Sequence, residues 1–128
     1  ETAAEEADVL FLPGGMPGTN TLKAHEGLKN AICKANKQGR RIAAICAAPS
    51  VFSGLGFLKG RKATSYPSFM EVLFKDGAVT SEDSVVVDGN ITTSRGLGTA
   101  VDFALSLISQ LENEEKAKEI AESVVYTR

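Results

Sequence analysis

Arg41-Ile42-Ala43-Ala44-Ile45-Cys46-Ala47-Ala48-Pro49-Ser50 has the pattern of a strand that runs straight into a helix. Ile42 to Cys46 carries no polar alternation, which predicts a short strand buried on both faces. Ala47-Ala48-Pro49-Ser50-Val51-Phe52 opens a helix. Pro49 sits in its first turn, where a missing N–H has no partner to lose. Cys46 falls at the junction. A side chain there meets the unpaired N–H groups and the positive dipole end of the helix, and both favour an anion. This is the arrangement of a nucleophile elbow, with sulfur in place of the usual serine oxygen. The same residues also suit a small buried cysteine that closes a core strand.

Upstream, Ala7-Asp8-Val9-Leu10-Phe11-Leu12 is a second continuous apolar run, ended by Pro13-Gly14-Gly15. It reads as another strand of a parallel sheet. The glycines form either a plain turn or a backbone that approaches a ligand and offers unobstructed N–H groups. Thr19 or Asn20 can cap a helix to about Gln38, stopped by Gly39, with Leu22, Leu28, Ile32 and Ala35 on one face. On that helix Cys33 is expected to pack as an ordinary thiol and His25 to lie on the surface.

Downstream, Ala47 to about Leu55 makes a short helix. A strand is expected at Arg61 to Tyr66, stopped by Pro67, then a short helix from Ser68 to Phe74 and a short apolar run at Ala78-Val79-Thr80. Asp88-Gly89-Asn90 between Ser84–Val87 and Ile91–Ser94 signals a hairpin. Arg95-Gly96-Leu97-Gly98-Thr99 is a second glycine-rich strand-to-helix junction, leading into a helix from Ala100 to Leu111. Asn113 caps a last helix, Glu114 to about Ser123. Val124-Val125-Tyr126 is an apolar tail suited to docking.

Alternating strands and helices predict an α/β fold with a mostly parallel sheet and helices on both faces. Ligands of such sheets sit beyond the strand C-termini. Three junctions fall there: Pro13-Gly14-Gly15, Cys46-Ala47 and Ser94-Arg95-Gly96. Converged, they offer Cys46 as a nucleophile, with the N–H groups of Gly14, Gly15 and Ala47 as an oxyanion hole.

The totals exclude several classes. The chain has 128 residues, 43% hydrophobic and 23% charged, so one globular domain spanning 1–128 is expected. With a net charge of −2 and no Lys/Arg run, it carries no nucleic-acid footprint. No apolar stretch approaches a membrane span, and the acidic Glu1–Asp8 is not a signal peptide. Two cysteines make no disulfide framework, so reduced thiols in the cytoplasm are expected. One histidine and no cysteine pair at ligand spacing argue against a metal site, and no cofactor motif is present.

Taken jointly and in order, the three junctions resemble the ThiJ/PfpI (DJ-one) superfamily, and its DJ-one-like branch in particular. The matching pieces are Ala7 to Gly15, then Ile42 to Ala47, then Thr93 to Thr99 followed by Phe103-Ala104-Leu105. The resemblance implies a flavodoxin-like α/β sandwich related to class I glutamine amidotransferases, with Cys46 as the reactive elbow cysteine. It implies a cysteine-dependent enzyme acting on small reactive carbonyls, of glyoxalase or deglycase type, and a homodimer. An oxidation sensor or redox-regulated chaperone using the same cysteine is the alternative. A peptidase or amidotransferase-like hydrolase is weaker, because the peptidase-like branch has a histidine directly after the cysteine and this chain has Ala47. Where the DJ-one branch often has a histidine, this chain has Tyr66, which either orients a substrate or forms a pocket wall. Arg95 either binds an anionic group or braces its loop, with Gly96 and Leu97 beside it at the pocket. The family's first strand ends in a glutamate that meets the cysteine, and this sequence has no matching position. The expectation is therefore a partial domain, the glutamate coming from a preceding segment or a second chain.

Overall fold

The computed structural model describes residues 9–14 and 25–126. Strand β1 (Val9–Leu12) pairs in parallel with β2 (Arg41–Ile45), and β2 pairs in parallel with β6 (Ile91–Ser94). β5 (Val85–Asp88) lies antiparallel to β6, giving the order β1-β2-β6-β5. β3 (Lys62–Ala63) and β4 (Val79–Thr80) form a separate parallel pair. This is a flavodoxin-like α/β arrangement.

The apolar continuity of β1 and β2 has a direct cause. Side chains of a strand alternate between faces; β2 is covered on both, while β1 leaves Phe11 half exposed on one. Ile42 and Ala44 enter the larger core with Leu12, Ile32, Phe52, Leu58 and Leu73. Ala43 and Ile45 enter a second core with Phe103 on the opposite face. Full burial of a side chain such as Phe52 or Ile32 contributes about 1.5–3 kcal/mol.

Helix α1 (Glu26–Lys37) and helix α2 (Pro49–Gly54) cover the larger core. α1 differs from the expected helix at its start. His25 is its N-cap, with Nδ1 accepting from the Leu28 N–H at 2.9 Å. The proposed caps Thr19 and Asn20 and the apolar position Leu22 lie outside the described residues. Cys33 is exposed rather than packed, a correction with a geometric reason. Ile32 and Ala35 take the buried stripe, and the residue after Ile32 is turned about 100° away from it. α2 begins two residues later than expected, at Pro49, because Cys46 to Ala48 form a turn.

The strand expected over Arg61 to Tyr66 is paired only at Lys62–Ala63. Beyond Ala63 the backbone leaves its partner: the Thr64 N–H turns to the Thr93 hydroxyl at 3.0 Å. A 3-10 turn (Pro67–Phe69) then leads into α3 (Met70–Lys75).

The hairpin turns on Gly89, at φ 59°, and Asn90. The Asn90 side chain donates to Asn36 Oδ1 and to the Arg40 carbonyl, each at 2.9 Å, and accepts from Arg61 at 3.0 Å. One turn residue thereby ties α1, the start of β2 and the approach to β3 together. A second 3-10 turn (Leu97–Thr99) opens α4 (Ala100–Leu111), and α5 (Glu114–Ser123) follows from its Asn113 cap. The tail docks through Tyr126, whose hydroxyl donates to Asp102 on α4 at 2.5 Å.

α4 covers its face of the sheet only in part. An apolar groove of about 430 Å³ remains, lined by Phe11, Ile45, Phe103, Leu107 and Leu111 among others. It lies beside β1, the end strand of the four-stranded sheet. No helix among the described residues is long and apolar enough to cross a membrane.

Candidate active site

β1, β2 and β6 run parallel, so their C-terminal ends finish on one side of the sheet. Gly14, Cys46 and Ser94 leave from those ends. The Cys46 N–H donates to the Ser94 carbonyl at 3.1 Å, extending the β2–β6 pairing by one bond. The Cys46 carbonyl accepts from the Tyr66 N–H at 2.8 Å. Gly14 lies against the elbow itself. A β-carbon added there would fall on the Cys46 β-carbon, 2.6 Å from the Ile45 carbonyl oxygen and 3.3 Å from the Ala47 nitrogen. Glycine is required by close approach at this point, not by a turn dihedral.

Cys46 has φ 66°. A residue with a β-carbon rarely adopts that region, and its appearance at a strand-to-helix turn is a feature of functional sites. The conformation sharply reverses the chain and lifts Cys46 out of the strand, leaving it partly exposed. Behind it, Ala47 and Ala48 are buried, and Ser50 donates to the Ala47 carbonyl at 2.6 Å. Small side chains are needed there because α2 starts hard against the sheet.

The model of the DJ-1/PfpI family matches residues 1–110. The chain belongs to the DJ-1/PfpI family. It stands on the DJ-1-like side of that family. Protein DJ-1 homolog A of Arabidopsis thaliana is 48% identical over 115 residues, covering 89% of this chain and 29% of the relative. A solved structure titled Toxoplasma gondii DJ-1, oxidized, superposes with TM-score 0.90 at 39% identity, over 99% of this chain and 69% of that one. The glutathione-independent glyoxalase DJR-1.2 of Caenorhabditis elegans is 32% identical over 113 residues, covering 88% of this chain and 60% of the relative. The chain thus spans under a third of the Arabidopsis protein and about two thirds of the DJ-1 structure it superposes on.

The remaining candidates fall around the elbow in different ways. Tyr66 is tied to Cys46 through its backbone, while its side chain is half exposed and borders Gly96. Arg95 donates from Nε to the Ser65 carbonyl at 3.1 Å and from Nη1 toward the Glu82 carbonyl at 3.5 Å. Leu97 stands 94% exposed at the head of the 3-10 turn. Gly15 lies outside the described residues. Sequence reasoning missed Thr99. Its hydroxyl accepts from the N–H groups of Arg95 and Gly96 at 3.2 and 3.1 Å and lies 2.7 Å from the Ser94 hydroxyl. The Ser94 hydroxyl also donates to the Ser84 carbonyl at 2.6 Å, and the Thr99 hydroxyl to the Gly96 carbonyl at 3.0 Å. Thr99 makes no side-chain cap to α4; as the third residue of the 3-10 turn it reaches back to the Gly96 N–H, the position at which a capping-box side chain is expected.

Proposed function

We propose that this protein is a cysteine-dependent enzyme acting on small reactive carbonyls, of glyoxalase or deglycase type, with Cys46 as its nucleophile. The observation that carries the proposal is the positive φ of Cys46, held at the meeting point of three parallel strand ends. The nematode glyoxalase among its relatives supports the substrate class. The Cys46 thiolate adds to the aldehyde carbon of an α-ketoaldehyde, and the carbonyl oxygen takes the negative charge. The N–H groups of Gly14 and Ala47 hold that oxygen; among the described residues neither donates its N–H to another acceptor. The proton on the former aldehyde carbon then moves to the neighbouring carbon, giving a thioester. Water hydrolyses the thioester, releasing a 2-hydroxy acid and the free thiol. That proton transfer requires a general base. Tyr66 and the exposed Leu97 form the rim where substrate enters.

The test is methylglyoxal consumption with lactate release. Turnover by the wild type that disappears in Cys46→Ala supports the proposal, and turnover that survives the substitution refutes it.

A second reading is an oxidative-stress sensor or redox-regulated chaperone working in the cytoplasm as a homodimer, with Cys46 oxidised to a sulfinate. Its support is the description of the Toxoplasma structure as oxidised. A gain of two oxygens at Cys46 under mild peroxide, with no carbonyl turnover, would favour it over the enzyme.

A further inference from the structure

Cys46 is held in its positive-φ conformation by two backbone hydrogen bonds that come from different parts of the fold. Its N–H is taken by the carbonyl of Ser94, at the end of β6, and its carbonyl is taken by the N–H of Tyr66, beyond β3. Ser94 is covalently followed by Arg95, and Tyr66 is covalently preceded by Ser65. Arg95 Nε donates to the Ser65 carbonyl at 3.1 Å. The contacts close a ring: Cys46 to Ser94, Ser94 to Arg95, Arg95 to Ser65, Ser65 to Tyr66, and Tyr66 back to Cys46. We infer that Arg95 is a positioning residue for Cys46, acting through the Ser65 carbonyl to hold both backbone clamps of the elbow in register.

The inference rests on the reading of Cys46 as the reactive centre and adds to it the residue that keeps that centre in shape. The stem of Arg95 is suited to the task. Its own N–H is fixed on the Thr99 hydroxyl at 3.2 Å, which is in turn hydrogen-bonded with Ser94. The guanidinium therefore starts from an anchored backbone and spans to the neighbouring loop, with Nη1 reaching toward a second carbonyl, that of Glu82, at 3.5 Å. A planar guanidinium offers several donors in fixed directions and can engage two carbonyls of separate loops at once, whereas a lysine ammonium is a single point on a flexible stem. The Ser65 carbonyl takes Nε at 3.1 Å, so the guanidinium is engaged within the protein.

The experiment compares the wild type, Arg95→Lys and Arg95→Met. Amide hydrogen exchange is read at Cys46, Tyr66 and the β2 interior, and iodoacetamide alkylation of Cys46 is followed against pH with exposed Cys33 as the internal control. Losing a hydrogen bond to a charged donor should speed exchange of the Cys46 and Tyr66 amides in Arg95→Met by roughly tenfold. Exchange at Ile42 to Ala44 should stay as in the wild type. Cys46 alkylation should slow and its pH profile should change shape, while that of Cys33 does not. Arg95→Lys should restore part of both effects. The inference is overturned if the Cys46 and Tyr66 amides keep wild-type exchange in Arg95→Met. It is equally overturned if protection is lost evenly along β2, or if the only change is a raised KM for an acidic substrate, which would make Arg95 a substrate anchor. The exchange and alkylation readouts require no turnover, so absence of carbonyl chemistry in the wild type would sink the proposed activity and leave this inference standing.

Discussion

Gly14→Ala is the substitution on which the geometry of the site makes its sharpest demand. A methyl group at this position falls on the Cys46 β-carbon and lies 2.6 Å from the Ile45 carbonyl oxygen. Carbon atoms pack comfortably at about 3.5–4.0 Å, so the end of β1 and the elbow must separate by on the order of 1 Å. Neither side yields easily. The Cys46 backbone is bonded at both its N–H and its carbonyl, and β1 is paired with β2 in register through Leu12 and Ala44. Overpacking of this kind costs about 1–3 kcal/mol, and a domain of this size loses roughly 3–5 °C of Tm per kcal/mol. Thermal unfolding should therefore show a Tm lower by about 3–15 °C, and Cys46 should lose its wild-type alkylation rate while Cys33 keeps its own. Gly54→Ala is the control, because a β-carbon there meets nothing within 4 Å, and it should unfold at or above the wild-type temperature. A Gly14→Ala protein with wild-type Tm and wild-type Cys46 alkylation would refute the close packing of the Pro13-Gly14 loop on the elbow.

Other substitutions probe separate parts of the structure. Cys46→Gly removes the β-carbon from a positive-φ position, so in urea it should be more stable than Cys46→Ala by about 1–2 kcal/mol, with both inert to alkylation. Asn90→Ala strips the hairpin turn of three side-chain hydrogen bonds, leaving the Arg40 carbonyl and Arg61 without that partner, and should cost about 1–3 kcal/mol in the same assay. Tyr126→Phe loses the bond from the tail to Asp102 and should lower stability by about 0.5–1.5 kcal/mol, with proteolysis at the C-terminus accelerated more than global unfolding. His25→Ala removes the side-chain acceptor at the start of α1 and should cost about 0.5–2 kcal/mol, recovered in His25→Asn.

Much of the fold was legible in local pattern. The unbroken apolar runs at Val9–Leu12 and Ile42–Ile45 announced strands; Ile42–Ile45 is covered on both sides by the two cores, whereas Val9–Leu12 leaves Phe11 half exposed on one side. Asp88-Gly89-Asn90 announced the hairpin because glycine accepts φ 59° without strain. The helices Ala100–Leu111 and Glu114–Ser123 have the expected limits because their stripes and the Asn113 cap are local features. Where local pattern misled, the deciding contacts were distant in sequence. Arg61 to Tyr66 has strand-like residues, but the Thr64 N–H goes to the Thr93 side-chain hydroxyl and the Tyr66 N–H to the Cys46 carbonyl in the elbow, so the β3–β4 ladder stops at Ala63. Cys33 was expected to pack, but the stripe of α1 that meets the sheet passes through Ile32 and Ala35.

The candidate site divides in the same way. A cysteine between a buried strand and a Pro-bearing helix start is visible in ten consecutive residues, because a strand-to-helix turn is short-range geometry. That Gly14 packs on the Cys46 β-carbon is not visible there, nor is the ring through Ser94, Arg95, Ser65 and Tyr66. Those contacts join residues about 20 to 50 positions apart and depend on the order β1-β2-β6, which sets three strand ends side by side. Residue type can state that Arg95 is able to donate hydrogen bonds. Which carbonyls receive them follows from the packing of separate loops over one end of a sheet, and that is a property of the folded chain.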